Sequence, residues 1–255
     1  MHVQMMSIPL YAGFSPSRWR QIIDVMLNKK EADHRVHCLR IVALQESDFN
    51  QCNRMSIGRP LLHALEDNKD IPDIQQGSRP SKLCHSAILN KQLTFNIHQG
   101  LKKPMVYIKN DAMSCYDCIA NPLVLTFLQI LGVHQNTTES LASTWEATYH
   151  KIKTLYGISQ AQYTNTIGEL LYGPGQGSTI GPILWLLCFL LISLSLSSTA
   201  PRITLTTTTK DRETSYVGEA FVDDTGLGTN LIDGTNATPA FIQVSRNLRT
   251  LSQEW

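Results

Sequence analysis

An apolar, strand-like run, Tyr216-Val217-Gly218-Glu219-Ala220-Phe221-Val222, ends in two consecutive carboxylates, Asp223 and Asp224, with glycines following at Gly226 and Gly228. Strand composition followed by a polar, glycine-rich break reads as a β-hairpin, which sets Asp223 and Asp224 at or beside its tip. Two like charges at ~4 Å in an effective dielectric near 20 cost roughly 4 kcal/mol before screening. A chain that keeps such a pair is expected to bind a divalent cation there, and hard oxygen ligands point to Mg²⁺. The plain alternative is a solvated turn, because Asp-Asp-Thr-Gly is also good turn composition. The decision between the two rests on the rest of the chain.

The 255-residue chain is long enough to bury a core in one large domain or two small ones. Its net charge of +1 is uninformative, but the charge is unevenly spread. Residues 1–110 carry 15 Lys/Arg against 9 Asp/Glu, whereas residues 111–255 carry 7 against 12. A basic half beside an acidic one suits a phosphate-binding surface next to a metal-binding carboxylate site. The six cysteines have no framework spacing, and Cys115-x-x-Cys118 has no second pair at zinc-site distance. A reducing, intracellular setting, nucleus or cytoplasm, is therefore expected, and the polar first thirty residues do not read as a secretory signal.

Along the chain, Ser15-Pro16 followed by Trp19, Ile22, Ile23, Met26 and Leu27 predicts a capped helix ending at Lys29-Lys30. Residues 37–44 read as a strand with Arg40 near its start. Gln75-Gln76-Gly77-Ser78-Arg79-Pro80-Ser81 is a glycine- and proline-punctuated loop before a helix from about Ser81 to Gly100, a candidate phosphate cradle. Met105 to Lys109 forms a short strand ending in Asn110-Asp111, then a helix spans Pro122 to Gly132. A further helix is expected from Glu139 to Leu155, stopped by Gly157, followed by a β-leaning segment over 160–171. Six glycines and prolines among residues 172–182 argue against regular structure before Ile183. The apolar run Ile183–Ile192 is 10 residues, about 15 Å of helix, and reaches only about 21 Å if counted to Leu196. That is short of a ~30 Å hydrocarbon core, so a buried helix is expected and no membrane association. Ile203–Thr209 reads as an edge strand or loop, and Asn236-Ala237-Thr238-Pro239 as the cap of a last helix running to Trp255.

Three signals fall in a fixed order: a strand ending in Asp111-x5-Asp117, then Gln176-Gly177 through Gly181-Pro182, then Phe221-Val222-Asp223-Asp224. That order and spacing resemble the palm motifs of reverse transcriptases. Arg40-Ile-Val-Ala-Leu with Asn50, and Gln76-Gly77-Ser78-Arg79, resemble the paired fingers motifs that precede the palm. The wording Asn110-Asp111-Ala-x-Ser-Cys-Tyr-Asp and Phe-Val-Asp-Asp-Thr is most similar to the non-LTR retrotransposon enzymes, over about residues 14 to 255.

The resemblance implies an α+β fold: right-hand polymerase fingers and palm, an antiparallel palm sheet backed by helices, and the thumb missing. Residues 1–104 would form the fingers region and 105–255 the palm region, with 118–170 packing partly with the fingers and truncation before the thumb. It implies RNA-directed DNA polymerisation, two-metal nucleotidyl transfer of dNTPs onto a primer 3′-hydroxyl, with an RNA template and DNA primer as partners. Asp111, Asp223 and Asp224 would hold two Mg²⁺ ions, with Mn²⁺ as a substitute, because ions roughly 3.5–4 Å apart need carboxylates from two chain segments. Tyr116 would exclude a 2′-hydroxyl, Gln176 and Gly177 would approach the nucleotide and template–primer, and Arg40 and Arg79 would contact the triphosphate. A downstream glycine–lysine motif is not found. The competing expectation is a catalytically inactive retroelement remnant that at most binds nucleic acid.

Overall fold

The computed structural model describes residues 2–29, 35, 38–112, 114–164, 173–199, 202–206, 209, 212–230, 239, 242 and 246. The chain divides into two compact units, each assembled from two stretches. The first takes Met1–Asp67 and Ser114–Leu187, the second Asn68–Met113 and Cys188–Trp255.

The first unit begins with α1 (His2–Ala12), a 3₁₀ turn (Ser17–Arg20), β1 (Gln21–Asn28) and β2 (Leu39–Leu44). Helix α2 (Ser47–Cys52) passes through a π-helical turn (Asn53–Gly58) into α3 (Arg59–Asp67). After the chain returns come α5 (Asn121–Ile130), α6 (Gln135–Glu146), β4 (Tyr149–Thr154), β5 (Gly157–Ile158) and β6 (Tyr163–Thr164). The sheet runs β2-β1-β4-β5, with β6 also on β4; β1 pairs antiparallel with β2 and parallel with β4. Trp19 anchors the unit: its indole N–H donates to Asp48 Oδ1 at 3.1 Å, and its ring lies 4.9 Å from Phe49.

Two sequence expectations fail in this unit. The helix predicted through Lys30 is a 3₁₀ turn followed by strand β1. Ile22, Ile23, Met26 and Leu27 suit helical spacing, but Ile22, Ile23 and Val25 are β-branched or strand-prone, and burial alternates at Ile22 and Asp24. Ladder hydrogen bonds on both sides of this central strand outweigh a weak local preference. The helix predicted from Glu139 to Leu155 ends at Glu146, where Thr148 Oγ1 donates to Trp145 O at 3.0 Å. Residues 149–153 then pair with β1, and Gly157, at φ +120°, pairs with Thr154 in the hairpin return instead of stopping a helix.

Helix α1 was not legible in the sequence. It carries no apolar stripe, and α6 holds its C-terminal end: Asn136 Nδ2 donates to Tyr11 O at 2.5 Å and Ser140 Oγ to Phe14 O at 2.9 Å. Of the β-leaning segment, Tyr163–Thr164 is strand, and residues 165–171 lie outside the described residues.

Helix α7 (Gly181–Thr199) starts two residues before the point expected, and every side chain from Ile183 to Phe189 is buried. A helix buried all round needs no polar face, which accounts for its unbroken apolar run. Among the described residues no helix is long and apolar enough to cross a membrane.

In the second unit α4 (Cys84–Gly100) precedes β3 (Met105–Asp111), and β7 (Ile203–Thr206), β8 (Glu213–Tyr216), β9 (Gly218–Phe221) and β10 (Asp224–Asn230) follow. One antiparallel sheet has the order β3-β10-β9, and β7 and β8 form a second ladder. The loop before α4 extends the sheet edge: Ala220 N donates to Ile74 O at 2.7 Å and Gln76 N to Ala220 O at 2.8 Å. Helix α4 is tied to the sheet by the His98 ring, 2.8 Å from Asn230 Oδ1. The fold is mixed α/β with sheets that are antiparallel apart from the β1–β4 pair. The helix predicted from Asn236 to Trp255 lies, apart from three residues, outside the described residues.

Candidate functional site

The hairpin expected around the two aspartates is present. Phe221 pairs with Asp224, which leaves Val222-Asp223 as a two-residue turn between β9 and β10. Two-residue hairpin turns require a positive φ, and here Val222 supplies it at +57°. A β-branched residue in that region is strained. The strain is held by Gln75, a fully buried side chain whose Oε1 accepts from Val222 N at 3.0 Å and from Gly77 N at 2.8 Å. Its Nε2 donates to Val222 O at 3.1 Å. Gly77 lies against the same turn, since a Cβ there would come within 2.2 Å of Val222 N.

Strand β10 then sets Asp224 directly opposite Asp111 across the β10–β3 ladder, with Asp223 in the adjoining turn, and Ala112 N donates to Asp223 O at 3.2 Å. Asp111 and Asp224 are exposed and Asp223 half-buried. Residues two apart on a strand share a face, so Lys109 lies beside Asp111 and its Nζ reaches Asp224 Oδ1 at 3.0 Å. The hydrogen bond and charge of Asp224 hold the Lys109 ammonium above its usual range, with Asp111 and Asp223 adding to the effect.

Oxygen-only donors from two strands are the chemistry of a hard divalent cation. The arrangement is less complete than the chemistry: among the described residues no group of three or more His, Cys, Asp or Glu side chains could hold a metal ion. Lys109 takes the place beside Asp224 that a cation would compete for.

Arg79 also lies in this unit, and its Nη1 donates to Pro72 O at 3.1 Å and Gln75 O at 2.9 Å. Its guanidinium thus braces the loop that carries Gln75. Behind the turn, Tyr107 donates its hydroxyl to Glu219 Oε1, reaching across Gly226, where a Cβ would come within 1.6 Å of the Tyr107 oxygen. Burial pushes the Glu219 carboxyl up, against the opposing effect of the Tyr107 hydrogen bond.

The other four sequence candidates lie in the first unit. Gln176 O accepts from Ala43 N of β2 at 2.6 Å, and Gln45 Nε2 donates to Pro174 O at 2.7 Å. Gly177, at φ +121°, packs so that a Cβ would meet Ala43 O at 2.4 Å. Gly173 bears on Tyr116 in the same way, with a hypothetical Cβ 1.9 Å from the Tyr116 carbonyl oxygen. Loop 173–181 thereby brings Tyr116, Gln176 and Gly177 together. Thr179 fastens the loop to Asn50 through N to Oδ1 at 3.0 Å. Arg40 lies exposed on β2, three residues from Ala43.

Gln75 and Lys109 are the residues that sequence reasoning passed over. Gln75 sat inside a quoted motif as an ordinary polar loop residue, and Lys109 as the end of an apolar strand. Only the cross-strand register gives either its partner.

No family model and no curated protein matches the sequence. Solved structures do. Telomerase from Candida albicans, in complex with a TWJ fragment of telomeric RNA, superposes with a TM-score of 0.55 at 12% identity, covering 92% of this chain and 40% of that one. Telomerase from Candida tropicalis, in complex with the same kind of fragment, gives 0.54 at 12% identity, over 96% of this chain and 41% of that one. The apo Candida tropicalis enzyme truncated from its C-terminal domain gives 0.50 at 13% identity, over 94% and 49%. The chain thus spans less than half the length of the structures it matches. At these identities the likeness is one of fold: this chain has, at a coarse level, the fold of telomerase, a reverse-transcriptase-related polymerase.

Proposed function

We propose that this chain is the fingers and palm portion of an RNA-directed DNA polymerase of non-LTR retroelement type, with residues 1–104 as fingers and 105–255 as palm. The observation that carries the reading is the β10–β3 register, which sets Asp224 opposite Asp111 with Asp223 in the adjoining turn. Asp111, Asp223 and Asp224 would hold Mg²⁺, and Mn²⁺ would substitute. Bound there, the metal would activate a primer 3′-hydroxyl and stabilise the leaving pyrophosphate. The carboxylates would orient the reacting groups from a hairpin braced by Gln75, and a bound cation would compete with Lys109 for Asp224. Tyr116, Gln176 and Gly177 would line the deoxynucleotide and template–primer contacts, and Arg40 would meet the triphosphate. Arg79, engaged with two carbonyls, would act by holding its loop. The partners would be an RNA template, a DNA primer and dNTPs, in the nucleus or cytoplasm.

The test is extension of a labelled DNA primer on an RNA template with Mg²⁺ or Mn²⁺. Extension abolished by Asp111→Asn and by Asp223→Asn supports the proposal. A second reading, a catalytically inactive remnant that binds nucleic acid, is favoured by the Lys109–Asp224 ion pair and the lack of a closed three-donor group among the described residues. Template–primer binding with no extension under either metal would decide for it.

A further inference from the structure

The contact between Lys109 and Asp224 is built by the sheet. Tyr107, Lys109 and Asp111 alternate onto one face of β3, and their partners in register on β10 are Gly228, Gly226 and Asp224. Two of those three β10 positions carry no side chain. The Tyr107 phenol fills the space over Gly226, where its hydroxyl donates to Glu219 Oε1. Lys91 of α4 sets its ammonium over the Tyr107 ring, 4.6 Å from the centroid. The ring, with a second cation upon it, closes the direct path for Lys109 across β10. The diagonal towards the turn stays open, and along it Lys109 Nζ meets Asp224 Oδ1 at 3.0 Å.

An ammonium at that distance from a carboxylate oxygen holds the position a divalent cation would need there. The affinity of a hard cation rises with the number of carboxylate charges it can collect. Lys109 cancels one of them at Asp224, and Asp111 and Asp223 attract it as well. This agrees with the donor set being open: among the described residues no group of three or more such side chains could hold a metal ion. Exposure decides what kind of obstacle the lysine is. The two side chains are 60% and 54% exposed. A buried pair would bar a cation outright, whereas an exposed, solvent-screened pair is weak and yields to a doubly charged competitor.

We propose that Lys109 is the internal counter-ion of the carboxylate site and sets the concentration of divalent cation at which that site fills. The inference rests on the reading of Asp111, Asp223 and Asp224 as metal ligands, and adds a residue that governs their occupancy without ligating. Lys109 acts through Asp224 and is a positioning residue. In the cation-free chain it keeps the Asp224 carboxylate out of the donor set. Removal of its charge frees that carboxylate as a third donor.

Mn²⁺ binding to the full chain, read from the loss of the free-ion signal in electron paramagnetic resonance, tests this without primer or nucleotide. Lys109→Met, which keeps most of the stem and deletes the charge, should bind Mn²⁺ about fivefold more tightly than the unaltered chain. Lys109→Arg restores the cation and should bind as the unaltered chain does. In an Asp224→Asn background the effect of Lys109→Met should fall below about twofold. Added salt should weaken Mn²⁺ binding less in the unaltered chain than in Lys109→Met, because screening also loosens the competing ion pair. A merely structural role for the lysine stem would leave no such difference. Circular dichroism checks folding, and Lys109→Gln takes the place of Lys109→Met should the latter not fold. Equal Mn²⁺ affinity in the unaltered chain and the folded variant, or a gain undiminished by Asp224→Asn, would overturn the inference. Loss of that binding in Asp111→Asn would then leave the carboxylate reading standing. No Mn²⁺ binding by any of these proteins at millimolar concentration would overturn both.

Discussion

Gln75 and Val222 are joined through all the polar groups they have to offer each other: the side-chain amide of Gln75 accepts the Val222 N–H and donates to the Val222 carbonyl oxygen. These residues are 147 apart in sequence. The bond pair performs for the turn what a further strand would perform, and it fixes the residue directly before Asp223. The hairpin is therefore not self-sufficient. Its geometry is imposed by a loop from far upstream, which Arg79 and Gly77 hold in place.

Replacement of Gln75 by leucine removes three hydrogen bonds at a fully buried position and strands the Val222 and Gly77 amides. The expected cost is about 2–4 kcal/mol, with the turn loosened before global unfolding. Urea unfolding checks the first part, and faster hydrogen exchange at Val222 and Asp223 checks the second. Unchanged exchange there would refute the bracing role.

Val222 holds φ at +57° although it is β-branched. Glycine in its place should stabilise the chain by about 1 kcal/mol, because the left-handed conformation then carries no Cβ penalty. The backbone bonds to Gln75 are retained in this variant. A lowered thermal midpoint would show that the valine side chain, not the backbone strain, governs the site.

Burial raises the Glu219 carboxyl above its ordinary range, so the folded chain binds that proton more tightly than the unfolded one. Its contribution to stability is then fully present below the unfolded value near 4.5 and is lost as pH rises through the folded value. Glu219→Gln keeps an acceptor for Tyr107 and removes this dependence. At pH 7 it should raise the stability and the thermal midpoint, and the gain should shrink as pH falls towards 4. Thermal melts of both proteins across that range give the answer, and a gain of equal size at both pH values would contradict it.

Much of the second unit was open to reading along the chain. The strand before Asp111, helix α4, the hairpin at Asp223 and the loop before α4 all follow from local composition, because turn residues and apolar runs act over a few positions. The first unit misled where local signals conflicted. Ile22, Ile23, Met26 and Leu27 satisfy helical spacing, yet a central strand between β2 and β4 draws its hydrogen bonds on one side from β2 and on the other from β4, more than a hundred positions away. Helix α1 was missed for the converse reason, being held by α6 and not by its own pattern.

The order of the acidic and glycine motifs was written in the sequence alone, since covalent spacing and side-chain chemistry are local properties. The tertiary fold decided the rest. It set Asp224 against Asp111, and gave Lys109 to Asp224 and Gln75 to Val222. Such pairings depend on strand register and on which faces are buried, and a one-residue slip in register would reverse every one of them on the sheet without altering a single motif.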